Sequence, residues 1–182
     1  FVSRVLGLLR DRFLASRFGA GDEMDIYFTA FKIPDFIYNV LILGAISAVL
    51  IPIFLDIVHK DKERAFVFLN LVMNNFLWIV LVCIAVLMIF APQLMAAIAP
   101  GFDKEKLAAT TALTRIMLLS PLLLGLSNIV SSALQALKRF FVYSLSPIFY
   151  NLGIIFGIFF LVPRFGIRGL AFGVVIGAFL HL

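Results

Sequence analysis

The residues best able to do chemistry in this chain are charged groups near its start, on a stretch that reads as a helix. Arg4 and Asp11 are seven residues apart, which on a helix places them on one face about 10 Å apart along the axis. Ser3 and Arg10 form a second pair with the same spacing beside them. Arginine presents a planar fork of N–H donors that suits phosphate or carboxylate, so this stretch predicts contact with an anion.

Three interpretations of these charges are open. The stretch could be an interfacial amphipathic helix whose arginines lie on phosphate headgroups. The arginines could instead snorkel from the end of a membrane span to the aqueous interface. Or they could line a substrate site, because ionisable residues at bilayer depth are costly and usually face a pathway or a cavity.

A second charged group lies in the next helical stretch. Asp25 and Lys32 are seven residues apart, and Lys32 and Asp35 are three apart, so all three lie near one face that we expect to look inward. One explanation is an ion pair that neutralises these charges and holds the helix in a bundle. The other is a direct role in binding a substrate, and the spacing does not decide between them.

The composition predicts an integral membrane protein. Of the 182 residues, 63% are hydrophobic and 14% are charged, and the mean hydropathy is +1.13. A soluble domain is nearer half apolar and a quarter charged. The net charge of +5, from 15 basic and 10 acidic residues, is attributed to basic loops, so nucleic acid is not an expected partner.

The sequence carries no recognisable enzyme constellation. Cys83 is the single cysteine, and the two histidines, His59 and His181, are far apart in the chain. Metal-ligand spacing, a glycine-rich phosphate loop and a serine elbow are all missing from the pattern. We therefore predict no enzymatic activity, no cofactor and no metal. Without a nucleotide motif, a membrane potential or an ion gradient is the expected driving force, which makes a coupling ion a candidate partner.

Hydropathy predicts one transmembrane domain over residues 1–182, an all-α polytopic bundle of five helices plus part of a sixth. The expected spans are about 1–18, 26–58, 65–98, 107–137, 141–162 and 170–182. Pro34, Gly44 and Pro52 predict kinks or a break in the second span. Lysine and arginine number five in one set of loops and four in the other, so charge does not settle the orientation. The chain begins with Phe1, inside a helical pattern, and ends inside another, so we expect a fragment of a longer protein.

Several short motifs, in one order along nearly the whole chain, carry a family resemblance. They are Ser3-Arg4-Val5-Leu6-Gly7 with Arg10-Asp11; Phe18-Gly19-Ala20-Gly21 followed by Asp25; Ala30-Phe31-Lys32-Ile33-Pro34; Gly44-Ala45-Ile46-Ser47 with Ile51-Pro52; Ala99-Pro100-Gly101-Phe102; and Ala133-Leu134-Gln135-Ala136 with Arg139-Phe140, Pro147 and Asn151. Each motif alone is weak, but their order and spacing are specific. The sequence resembles the MurJ (MviN) family of lipid II flippases, in the multidrug/oligosaccharidyl-lipid/polysaccharide exporter superfamily.

The resemblance implies a helix bundle in two lobes around a central cavity, with this chain as most of the N-terminal lobe and its N-terminus in the cytoplasm. It implies translocation of lipid II, the lipid-linked peptidoglycan precursor, across the bacterial cytoplasmic (inner) membrane by alternating access, in cell wall biogenesis. The expected partners are lipid II or a related polyprenyl-diphosphate glycan, and membrane lipids. The expected protein is multi-pass.

The same resemblance, read with the helix faces above, gives each polar residue an expected role. The expected substrate-binding residues are Arg4, Arg10, Asp11 and Lys32; the gate residues are Asp25 and Asp35; the hinges are Gly7, Pro34 and Gly44. Two positions depart from the family pattern: Tyr38 stands where many members have an arginine, and Leu43 where many have a glutamate.

Two rival functions differ in chemistry. An ion-coupled multidrug exporter, or an exporter of another polyprenyl glycan, from the same superfamily is the alternative. Acidic and aromatic groups would suit cationic drugs, and the arginine-rich first helix argues against them. A non-transporting scaffold for a membrane assembly is the third hypothesis. A scaffold would tolerate charge reversal at Arg4 or Arg10.

Overall fold

The computed structural model describes residues 2–40 and 46–182, and every regular element within these ranges is helical. The helices are α1 (Val2–Phe18), α2 (Asp22–Tyr38), α3 (Ile46–Lys60), α4 (Lys62–Ile98), α5 (Lys104–Met117), α6 (Leu119–Ala136), α7 (Phe140–Phe156), α8 (Val162–Phe165) and α9 (Arg168–His181). A wide π-helical turn, Gly157–Leu161, joins α7 to α8. The predicted all-α bundle is confirmed.

Three helical segments in the described ranges are long and apolar enough to cross a membrane. They are Lys62–Ile98, Lys104–Ala136 and Phe140–Phe165. In the most apolar window of the first segment only 22% of the residues are buried inside the bundle, so this helix turns most of its apolar surface outward. Because that surface suits lipid and not water, the chain is a membrane protein.

The predicted second span, residues 26–58, contains two described helices, α2 and α3. Pro34 is buried within α2, which continues past it to Tyr38, and Pro52 lies within α3. Gly44 and Leu43, on which the sequence analysis placed a hinge and a departure from the family, lie outside the described residues.

Helix ends follow local side-chain chemistry. Gly19 adopts a φ of +63°, a left-handed conformation that glycine accepts without strain, and α1 ends there. Asp61 caps α4 by accepting from the backbone N–H of Arg64 at 3.1 Å, and Asp103 caps α5 through the N–H of Lys106 at 2.8 Å. The charged runs between spans therefore also start the next helices.

Two hydrophobic cores hold the bundle together. The first lies among α3, α4, α6 and the C-terminal half of α2, where Phe54 and Ile129 are fully buried. The second lies among α1, α5, α7, α9 and the N-terminal half of α2, and includes Tyr27, Leu113 and Val174. Because α2 contributes to both cores, each of its halves is anchored, and the direction of its charged face is set by this packing.

Helices α7 and α9 approach to backbone contact through glycines. A Cβ placed on Gly153 would lie 2.3 Å from the Cα of Gly177, and one on Gly173 would lie 2.8 Å from the Cα of Gly157. Small residues permit such close helix packing in membrane proteins. Helix α7 is therefore a rigid wall, and α1 packs against it.

An arginine compensates for a proline in α4. Pro92 has no N–H, so the carbonyl of Met88, four residues earlier, lacks its usual helical donor. The Nε of Arg115 donates to that carbonyl at 3.0 Å from α5. This charged side chain within a long apolar segment thus satisfies a backbone acceptor.

Candidate functional site

A cavity of about 410 Å³ lies between α1, α2 and α7, and we call it the arginine cavity. Its polar lining comes from Arg10 and Asp11 on α1, Lys32 and Asp35 on α2, and Tyr150 on α7. Leu14, Tyr27, Phe28 and Phe31 complete the wall. The structure thus brings together four charged residues that the sequence analysis placed on two separate helices.

A second cavity of about 600 Å³, the loop cavity, adjoins the first. Both are lined by Arg10 and Asp11, together with Leu14 and Phe28. The loop cavity extends past the turn at 19–21 to Asp25. The Arg10–Asp11 pair therefore stands where the two cavities meet.

Three hydrogen bonds fix the guanidinium of Arg10, whose side chain is 26% exposed. Its Nε and Nη2 donate to Oδ1 of Asp11 at 2.9 and 2.8 Å, and its Nη1 donates to Oδ1 of Asn151 at 3.1 Å. A guanidinium carries five N–H groups. Within the described part of the chain, two of them are left for a ligand or water.

Asn151, on α7, is the residue that accepts from Arg10 across the helix boundary. The sequence analysis named it only as part of a family motif. Its side chain is buried, and its Nδ2 donates to the carbonyls of Pro147 at 2.8 Å and Ser3 at 3.4 Å. A Cβ on Gly7 would lie 3.8 Å from Asn151 Oδ1. The face of α1 that carries Ser3, Gly7 and Arg10 therefore rests on this one amide. An asparagine within an apolar helix indicates that its side chain has a polar partner, but the sequence could not identify that partner as Arg10, 141 residues away.

Asp25 is paired differently from the ion pair considered in the sequence analysis. Its Oδ2 accepts from Nζ of Lys106 at 2.9 Å, and Oδ1 of Asp22 accepts from the same ammonium at 2.7 Å. The ammonium also lies 4.3 Å from the centroid of the Phe102 ring. Asp25 thus ties the start of α2 to the start of α5 and does not pair with Lys32. Lys106 was not among the site residues that the sequence predicted.

The remaining predicted site residues occupy varied positions. Arg4 is exposed on α1 and lines neither cavity. Lys32 and Asp35 are exposed and line the arginine cavity without pairing with each other. Pro34 is buried beside a third cavity of about 210 Å³, which Asp35 also lines.

Tyr38, which the sequence analysis set apart from the expected pattern, lies at this third cavity. Its hydroxyl accepts a hydrogen bond from Nδ2 of Asn128 at 3.1 Å. His181 and Tyr150 line the same cavity. Tyr38 therefore makes a neutral contact between α2 and α6.

Comparison with known proteins gives one consistent family. The model of the family "Lipid II flippase MurJ" matches residues 14–182. The probable lipid II flippase MurJ of Rickettsia prowazekii is 36% identical over 160 residues, covering 85% of this chain and 31% of its own length. The lipid II flippase MurJ of Thermosipho africanus is 33% identical over 181 residues, covering 99% of this chain and 37% of its own length.

A solved structure agrees with the sequence matches. "Lipid II flippase MurJ, inward closed conformation" superposes with a TM-score of 0.82 at 32% identity, covering 98% of this chain and 38% of that one. The chain thus spans about a third of the length of the relatives that it matches. The N-terminal lobe of a two-lobe flippase fits this match. The chain belongs to the MurJ family of lipid II flippases.

Proposed function

We propose that this chain is part of a flippase that moves lipid II, or a closely related polyprenyl-diphosphate glycan, across the bacterial cytoplasmic membrane by alternating access. Family membership supports the proposal, and the arginine cavity supports it on this chain. A polar headgroup can cross the bilayer only where charges and dipoles replace its water. The arginine cavity and the adjoining loop cavity, at about 410 and 600 Å³, have the volume of typical ligand sites.

The observation that carries the proposal is the state of Arg10. Its guanidinium is held in place, yet two of its N–H groups are unused by the described residues. A diphosphate would accept hydrogen bonds from these two N–H groups. It would also compete for the guanidinium with Asp11, whose side chain is 60% exposed and able to move away. Lys32 would supply a second cation across the cavity, and Asp35 would limit the net charge when the site is empty.

Other roles in the proposal follow from position. Asp25, held by Lys106 at the start of α2, is a gate residue in this scheme, and Asp35 is the second. Gly7, Pro34 and Gly44 are its bending points, and Arg4 is a second anion contact that another part of the protein would complete. A membrane potential or a coupling ion would drive transport. A drug exporter is not favoured, because the matched relatives are named lipid II flippases.

The test uses the full-length gene product in bacterial cells depleted of their own lipid II flippase. Wild type should restore growth, and Arg10→Ala should fail at equal membrane abundance, because the diphosphate loses its anchor. Arg12→Ala is the matched control, since it removes the same charge from the same helix at a residue that lines neither cavity. Growth of the Arg10→Ala cells at the wild-type rate would contradict the site, and failure of wild type would contradict the substrate.

A further inference from the structure

Arg10 is tied to a neighbouring helix through one amide. Its two bonds to Asp11 stay within α1, since Asp11 is the next residue in the chain. The bond from Nη1 to Oδ1 of Asn151, at 3.1 Å, is the guanidinium's polar tie to another helix among the described residues. Asp11 therefore moves with α1, whereas Asn151 fixes the charge relative to the cavity wall.

Asn151 is itself held firmly. Its Nδ2 donates to the carbonyl of Pro147 at 2.8 Å, one turn earlier in α7, and to the carbonyl of Ser3 at 3.4 Å. Gly153 in α7 and Gly157 just after it pack in backbone contact with α9, close to Asn151 in the chain. A buried amide with its donors and acceptor all used has one orientation, so Oδ1 marks a fixed point.

The chemistry of this acceptor matters as much as its place. An amide oxygen orients a guanidinium without neutralising it, whereas a buried carboxylate would form an ion pair and reduce the attraction for an incoming anion. The exposed Asp11 supplies the only carboxylate on Arg10 within the described residues, and solvent can replace it. Once Asp11 is displaced, the charge of Arg10 is available to a phosphate, because Asn151 does not neutralise it.

We infer that Asn151 is a positioning residue for anion binding: it holds Arg10 in the arginine cavity, oriented and still fully charged, for the diphosphate of a polyprenyl-linked substrate. The inference rests on the proposed function and adds a residue of α7 to its site. Gly7 lies beside the same amide, since a Cβ added there would be in van der Waals contact with Asn151 Oδ1 at 3.8 Å.

The test measures binding of a long-chain polyprenyl diphosphate to the purified full-length protein in lipid nanodiscs. Asn151→Ser keeps a hydroxyl that can donate to the carbonyl of Pro147 but is too short to reach Arg10. We expect its Kd to rise roughly tenfold, the value of one hydrogen bond to a charged group. In an Arg10→Ala background the same change should have no further effect, because its target is gone.

Asn128→Ser is the matched control. Asn128, like Asn151, donates to the carbonyl one turn earlier in its own helix. Its side-chain partner on another helix is the hydroxyl of Tyr38, to which it donates, and not Arg10. Its Kd should stay near that of wild type. Unchanged affinity in Asn151→Ser, or an equal loss with and without Arg10, would overturn the positioning role.

A second variant keeps the test decisive if Asn151→Ser does not fold. Asn151→Asp retains an acceptor for Arg10 but adds a negative charge, so affinity should fall while the Arg10 contact survives. Wild-type affinity in this variant would refute the inference. If wild type binds no polyprenyl diphosphate, the proposed function fails as well, whereas binding that needs Arg10 but ignores both Asn151 variants removes the inference alone.

Discussion

Gly153→Ala tests the close packing that makes α7 a rigid wall. An added Cβ would lie 2.3 Å from the Cα and 2.4 Å from the N of Gly177. Ordinary contact begins near 3.4 Å, so the helices must separate by about 1 Å (3.4 − 2.3). Both obstructing atoms are backbone, so no rotamer change can relieve the clash.

The expected cost follows from this displacement. Overpacking of a well-packed interior costs about 1–3 kcal/mol. The entropy of unfolding grows with chain length, and the relatives are about three times as long as this chain, so a 2 kcal/mol loss lowers the apparent Tm of the full-length protein by roughly 2 °C. Thermal unfolding of the detergent-purified full-length protein, followed by intrinsic fluorescence, measures this shift directly.

Gly7→Ala is the matched control for that experiment. Its Cβ would meet Asn151 Oδ1 at 3.8 Å, which is ordinary contact. Alanine also favours a helix over glycine by about 1 kcal/mol, so this variant should unfold at or above the wild-type temperature. A Gly153→Ala protein that unfolds with wild type would refute the backbone contact between α7 and α9.

Two further predictions concern contacts outside the cavity. Arg115→Ala should destabilise the protein by about 1 kcal/mol, because the Met88 carbonyl is left without a donor. The loss should shrink in a Pro92→Ala background, where the new alanine supplies a backbone N–H. Chemical unfolding of the four variants of this double-mutant cycle measures the coupling, and equal losses in both backgrounds would contradict the pairing. Lys106→Gln should speed amide hydrogen exchange over residues 19–25, because Asp22 and Asp25 lose their cation. Molar salt should speed this exchange in wild type and have little effect on the variant. Unchanged exchange would show that the two ion pairs of Lys106 do not order this turn.

The helix faces that line the arginine cavity were predictable because they depend on local spacing. Arg10 and Asp11 could be assigned to one helix and Lys32 and Asp35 to another from residues three to seven apart. An inward direction was expected for the face with Lys32 and Asp35, since charges within apolar segments are costly toward lipid. For the first helix the sequence left three interpretations open. The sequence could not show that Arg4 lies outside both cavities, because the angle between helices decides which turn of α1 reaches the cavity.

Long-range partners could not be predicted from the sequence alone. Lys106 lies 81 residues from Asp25, and a charge run between spans ordinarily indicates only a solvated turn. Within the second span, Asp25 and Lys32 offered a nearer match in sequence. The structure prefers Lys106 because the first turns of α2 and α5 lie side by side, a fact of bundle topology and not of local periodicity.

The arrangement of α1 suggests why a neutral side chain stands opposite its arginine. Helix α1 joins the bundle mainly through α7, whereas α2 is held by both cores, so any change in the angle of α1 alters the cavity between them. A buried ion pair at this joint would resist such a change, because separating its charges leaves both unpaired. The hydrogen bond of Asn151 to Arg10 costs far less to break and remake. Under the proposed function this wall holds an anion in one state and releases it in another, and an amide suits that exchange better than a carboxylate does.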